Sequence, residues 1–453
     1  MARHLRCGTL FTGIDDEPIR DAVVVIEGDT VVCVEPRAKA PEPQSSDQIV
    51  DCSKYFVMPG LTDIHVHLSY GNAKTEEDID LFASVEYRAL RGMVAAQKVL
   101  RAGVTSIADP ATTGRVSLAI RDAIDAGLYV GPRMTASGRQ ITSRQGLSDW
   151  YPRWIGVPET SVGVLVKNRD EMLEEVRGQV KDGVDFIKIA IDGDTMNPST
   201  GLLSGFTQDE LDFMIGEAHR LGKKVVVHSR GNEAVLYAAR AGADVILHAS
   251  WMDDETIDTV KRSKSLLCPT LTMPVNNVEF SRPSDPAYHG FAHGHRAELE
   301  SARVVLAKAY KAGIPFLVGT DTGFAITPYG EFHAKELELF VSMLGITPAK
   351  ALRCATENNA LFLKNGARAG VLAPGRLADV LIVDGDPLAD IRVLQDRTRF
   401  KDVLLGGESV RLSINDHARQ LRGETSYTMW NDVYTQARLA ELAEPVGQRI
   451  AAE

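Results

Sequence analysis

At 453 residues the chain suits one large domain with accessories or two to three domains, and a composition of 44% hydrophobic and 25% charged residues is that of an ordinary soluble globular protein. With 38 Gly and 20 Pro spread along its length, disorder and fibrous repeats are excluded as main themes. Fifty Lys plus Arg against 61 Asp plus Glu leave a net charge of −11, a field that repels phosphate backbones and anionic lipid surfaces, so neither nucleic acid nor membrane is an expected partner.

The five cysteines, Cys7, Cys33, Cys52, Cys268 and Cys354, are odd in number and form no CxxC unit or ligand pair, which points to a reducing compartment. The N-terminus offers only a short apolar stretch, below the length of a signal-peptide core or a spanning helix, and a cytoplasmic location is expected. From 9 to 57, β-rich runs alternate with turns, notably 21–26 and 30–34 around Gly28-Asp29, and 38–46 reads as a surface loop.

From Met58 the rhythm changes to apolar runs of strand length with helical stretches between them. Candidate strands cover 61–68, 104–108, 129–136, 186–191, 224–228, 245–248, 266–271 and 316–319, and candidate helices 85–102, 170–182, 208–221, 233–241, 298–312 and 332–344. The expected fold is α/β, a (β/α)8 TIM barrel over 58–366. A further helix is expected over 348–363, followed by short β segments with Pro374-Gly375 and Asp384-Gly385 turns. Neither terminus has enough strands to bury a core alone, so 1–57 and 367–420 are expected to form one small composite β-sandwich domain. The tail 421–453 is helix-compatible.

The chemistry lies at strand ends. In Asp63-Ile-His65-Val-His67, alternation puts both imidazoles on one side, able to share a divalent metal, with Ile64 and Val66 facing the helices. His228 closes the fifth strand and His248 the sixth, and Asp321 follows the eighth, where a carboxylate can bind metal and accept a proton. Lys188 sits in the apolar run Asp-Phe-Ile-Lys-Ile-Ala, where an unpaired ammonium costs several kcal/mol. It therefore needs either a salt bridge to Asp185 or Asp192, or conversion to a carbamate bridging two metals.

These motifs resemble the amidohydrolase superfamily of metal-dependent hydrolases over about residues 1–410. The carriers are Met58-Pro-Gly-Leu-Thr-Asp-Ile-His65-Val-His67, Phe-Ile-Lys188-Ile, Val-Val-His228, Ile-Leu-His248-Ala-Ser, Gly-Thr-Asp321-Thr and Ala373-Pro-Gly-Arg-Leu-Ala-Asp379. The resemblance implies that His65, His67 and Asp321 hold one divalent ion and His228 and His248 a second, zinc being the expected metal, with carboxylated Lys188 bridging. It further implies attack by bridging hydroxide, with Asp321 shuttling the proton to the leaving nitrogen.

Within the superfamily, Lys188 and His248-Ala-Ser resemble the branch of Xaa-Pro dipeptidase-like enzymes, aryl amide hydrolases, and molinate and phenylurea hydrolases. The expected function is cleavage of an amide, urea or carbamate C–N bond in a small molecule, with N-aryl or N-acyl substrates that include xenobiotics such as phenylureas. Peptidase-like members often carry Gly-Gly-His after strand three, whereas this chain has Arg144-Gln-Gly-Leu147, which weakens a dipeptidase or carboxypeptidase reading. Further alternatives are an imidazolonepropionase-like cyclic amide hydrolase, against which Lys188 argues, and a noncatalytic binding protein, against which the intact set of six argues.

Arg230, two residues beyond His228, is a candidate for a substrate carboxylate or for a surface acid. His289 is a candidate substrate contact in a loop that also holds His293 and His295, read as a polar lid. His4, His219, His333 and His417 are assigned no chemistry. A homo-oligomer acting on a small molecule is expected.

Overall fold

The computed structural model describes residues 1–193, 202–280 and 286–414, the side chains of 286–291 excepted. The tail 421–453 and His417 lie outside these residues, as does the side chain of His289.

Both ends of the chain meet in one seven-stranded sheet. Strand Gln48–Pro59 lies at its centre, parallel to Arg3–Leu10 on one side and antiparallel to Val380–Val383 on the other, with Val383 opposite Phe56. Alternate residues Leu5, Cys7, Ala22, Val24, Ile26, Val380 and Ile382 bury one face, the period of two that a half-buried sheet demands. Arg133 joins this sheet to the rest of the protein through both nitrogens of a fork on Asp379, at 2.8 and 3.0 Å, and Asp379 also accepts from the amide of Gly406.

The remaining strands are parallel. Leu266–Cys268, Val245–His248, Lys224–Ser229, Phe186–Ala190, Gln140–Thr142 and Gly163–Leu165 form one sheet in that order, and Leu61–Asp63, Val104–Asp109 and Arg133–Ala136 form another. Residues 316–322 lie between the two, bridged in parallel at Leu267–Phe316 and Val66–Thr322. On the far side the amide of Asp185 donates to Ala136 at 2.8 Å. The helices pack on these sheets, each begun and ended by local chemistry. Arg169–Asp182, for example, starts where the Asn168 side chain caps Glu171 and stops at Gly183, whose φ of 89° is open to glycine.

Several expectations are corrected here. The first strand is only Leu61–Asp63, and helices Val116–Asp125, Asp254–Ser263 and Thr272–Phe280 had no counterpart in the sequence reading. Residues 293 and 295 belong to a helix, Pro286–Lys311, and not to a loop. The helix expected over 348–363 is α-helical across Pro348–Arg353, passes through a π turn over Cys354–Asn358 and ends at 360. No helix among the described residues is long and apolar enough to cross a membrane.

Candidate functional site

Beneath the site the strand faces pack Ile64, Ala108, Phe186, Val226, Leu247 and Cys268 into an apolar floor. Ile64 is therefore interior, contrary to strict alternation from His65. The strand stops at Asp63, whose carboxylate accepts from the His65 amide at 3.0 Å and from the Thr320 amide and hydroxyl at 3.2 and 2.5 Å. Buried His333 completes this bracket through Nδ1 at 2.8 Å, so Asp63 fixes how the chain leaves the strand.

Alternation also fails at His248. Leu247 points to the floor, so an extended His248 would point away, but its backbone is left-handed at φ 71°, followed by Ala249 at 51°. Asp321 has the same conformation at φ 58°. Non-glycine residues rarely hold this conformation, and such strain concentrates at functional sites. The result is convergence: ligand-capable atoms of His65, His248 and Asp321 lie within 4.8 Å of one another. His67 Nε2 and His65 Nε2 stand 3.0 and 3.3 Å from Asp321 Oδ1, and the ring centroids of His228 and His248 are 4.5 Å apart.

Hydrogen bonds assign the tautomers. The Ala111 carbonyl, 3.2 Å from His67 Nδ1, accepts only, so that nitrogen carries the proton and Nε2 faces the Asp321 carboxylate at 3.0 Å. Thr270 Oγ1 donates to the Cys268 carbonyl and accepts from His65 Nδ1 at 3.2 Å, with the same outcome. His228 is reversed: its Nε2 donates to the Gly193 carbonyl at 3.0 Å, leaving Nδ1 as the lone-pair atom. Neither nitrogen of buried His248 has a hydrogen-bond partner among the described residues, which a bound cation would supply.

Burial pushes His65, His228 and His248 well below the ordinary imidazole range, into the neutral form that ligates. It brings Lys188 down to about 7. Burial alone would raise Asp321, but His65, His67 and Arg230 outweigh it and hold the carboxyl well below its usual range. The donor set, neutral imidazoles around one ionised carboxylate, fits a divalent cation.

His65, His67, Lys188, His228, Arg230 and Asp321 all line one cavity. The Asp185 reading of Lys188 is overturned, because Asp185 is engaged by Arg121 and the Ala136 amide, each at 2.9 Å. Arg230 is not at the surface: it is 3% exposed and pairs with buried Glu298, which also accepts from Ser250 at 2.6 Å.

The sequence reading missed the other wall. Tyr70 stacks on His67 at 4.2 Å, Phe324 meets both edge-on, and Trp150 and Leu147 extend the surface. Tyr70 and Phe324 each lie three residues past a motif residue, a signal that proximity along the chain offered. Trp150 and Glu298 had none.

The profile of the Amidohydrolase family matches residues 56–410. The chain belongs to the amidohydrolase family. This amidohydrolase is 29% identical over 429 residues to "Ochratoxinase" of Aspergillus niger, covering 88% of this chain and 85% of that protein. A solved Xaa-Pro dipeptidase with methionine bound in its active site matches 90% of this chain and all of its own, at TM-score 0.79 and 26% identity. A molinate hydrolase shares the fold at TM-score 0.75 and 22% identity, over 94% of this chain and 98% of its own. The protein is an enzyme, a hydrolase of carbon–nitrogen bonds, from a family that generally uses divalent metal.

Proposed function

We propose that the enzyme cleaves an amide, urea or carbamate C–N bond of a small molecule at a binuclear centre. The two ions, zinc in the first instance, would be held by His65, His67 and Asp321 and by His228 and His248, with carboxylated Lys188 between them. The observation that carries this is His248: a buried imidazole with neither nitrogen hydrogen-bonded, with a ligand-capable atom within 4.8 Å of those of His65 and Asp321. We also infer that the parallel strands close as a (β/α)8 barrel through residues 316–322, with the composite terminal sheet as the small β-sandwich beside it.

Bound divalent metal polarises a carbonyl and acidifies water. The chain's own residues supply the rest. Lys188 is 1% exposed, makes no salt bridge among the described residues, and is partly free amine near neutral pH, the form that adds carbon dioxide. In that addition an N–C bond forms and the amine proton leaves to solvent. Asp321, ionised at the cavity floor, takes the proton of the attacking water and gives it to the leaving nitrogen as the C–N bond breaks. The Tyr70, Phe324 and Trp150 wall receives an apolar N-acyl or N-aryl group, and Arg230 receives a carboxylate. The methionine in the related dipeptidase supports a substrate with a carboxylate on one side of the bond.

The second reading is an Xaa-Pro-type dipeptidase or carboxypeptidase; Leu147, where those relatives often carry histidine, weighs against it. Metal analysis together with a hydrolysis screen of N-acyl amino acids, dipeptides, N-aryl ureas and carbamates tests both. Two ions per chain and turnover of the acylated or arylated compounds are expected. Full activity with one ion or fewer would refute the binuclear centre, and turnover of dipeptides alone would favour the second reading.

A further inference from the structure

His65, His67, Lys188, His228 and Asp321 account for one part of the cavity lining, and the aromatic residues for another. A further part of the lining holds a group neither explains. The long helix Pro286–Lys311 carries His295 to the cavity lining, beside Arg230 and Met273. Its side chain is 1% exposed, and neither ring nitrogen has a hydrogen-bond partner among the described residues, Nδ1 being buried outright. It is not part of the group of His65, His248 and Asp321 that can share an ion.

Its surroundings are partly committed. One turn along the helix, Glu298 accepts through the same oxygen from Arg230 and from Ser250. The Arg230 amide donates to Asp192 at 2.7 Å, so the backbone that carries Arg230 is fixed as well. His295 is thus a side chain of this wall whose ring nitrogens both have hydrogen-bonding capacity to spare, as does the second oxygen of Glu298, and a buried polar group is normally satisfied by something. Burial keeps its ring neutral, with a pKa brought down to about 4. A neutral imidazole still offers one N–H donor, and it does so next to a guanidinium. A donor beside a fixed cation, facing an apolar wall across the cavity, suits a planar anionic oxygen group.

We propose that His295 is a substrate-binding residue that donates a hydrogen bond to the carboxylate of an N-acyl amino acid, alongside Arg230. This rests on the amide-hydrolase reading above.

The test separates the two. Binding of N-acetyl-L-phenylalanine and of its decarboxylated analogue, N-phenethylacetamide, is measured by calorimetry on the full-length metal-loaded and metal-free protein, which needs no turnover. Wild type should bind the acid more tightly, and His295→Leu should lose roughly tenfold on the acid alone, the scale of one hydrogen bond to a charged group. His295→Asn or His295→Gln, each keeping an N–H near one ring nitrogen, should recover part of that loss. In turnover the same variant should raise KM for the acid with kcat changed only a few-fold, at unchanged metal content. Equal losses on acid and analogue, no loss on either, or an acid that wild type binds no better than the analogue would overturn the role of His295. Absence of wild-type hydrolysis with His295-dependent binding of the acid would overturn the amide-hydrolase reading and leave the carboxylate site standing.

Discussion

Removing the carboxylate of Glu298 should destabilise the enzyme far more than a typical substitution. The side chains of Arg230 and Glu298 are 3% and 2% exposed, so Glu298→Ala leaves a guanidinium in the cavity wall with its counter-ion gone. The Ser250 hydroxyl loses its acceptor at the same time. Breaking a buried pair from one side costs about 3–5 kcal/mol, most of it the stranded charge. For a protein of this size that should lower Tm by about 3–5 °C. Glu298→Gln keeps a neutral acceptor for Arg230 and Ser250 and should lose about half as much. In Arg230→Met/Glu298→Leu both charges go together, and stability should return most of the way, because the desolvation cost disappears with the attraction. The assay is thermal unfolding of all three metal-loaded variants, with KM for an N-acyl amino acid measured in parallel. A Glu298→Ala protein within about 1 kcal/mol of wild type, or a double variant no better than the single one, would refute the reasoning.

Three further predictions follow from other parts of the site. A Cβ on Gly319 would lie 2.6 Å from Cys268 Sγ and 2.7 Å from His65 Cβ, so Gly319→Ala must displace one or both; a stability loss of about 1–3 kcal/mol and reduced metal content are expected, and normal metal occupancy would show that the floor can yield. Asp321→Asn retains size and a ligand oxygen but not a basic carboxylate, so kcat on an amide should fall roughly 100-fold or more, and by less on an ester whose leaving group needs little protonation. Near-native amide turnover would assign the proton to another group. In metal-free protein, the unfolded chain binds a proton at His295 near the ordinary 6.5 while the folded chain does so only near 4. Between these values the unfolded state holds more protons, so this group's contribution, about 3 kcal/mol, is present above pH 6.5 and is lost as pH falls toward 4. His295→Leu should therefore lose less stability than wild type over that window in a series of unfolding curves, and parallel losses would contradict a buried neutral ring.

The candidate ligands of the centre and the order in which they occur can be read from the chain alone. His65, His67, Lys188, His228, His248 and Asp321 are legible because each stands at or near the end of an apolar run, and because a metal centre restricts residue type as well as position. The composite terminal sheet was legible for a similar reason, since short strands with tight turns at each end have too little surface to bury alone. Tertiary structure decided what depends on contacts between distant segments. Alternation along a strand is a local rule, and it fails where the backbone leaves the strand: Ile64 turns inward because Asp63 is bracketed by Thr320 and His333, and His248 reaches the centre only through a left-handed φ. The partner of Arg230 lies 68 residues away, and the Trp150 wall comes from a segment with no motif, so neither pairing leaves a trace in local spacing. Residue types and their spacing write the candidate ligands into the chain, whereas side-chain packing across the fold assembles the walls of the cavity around them.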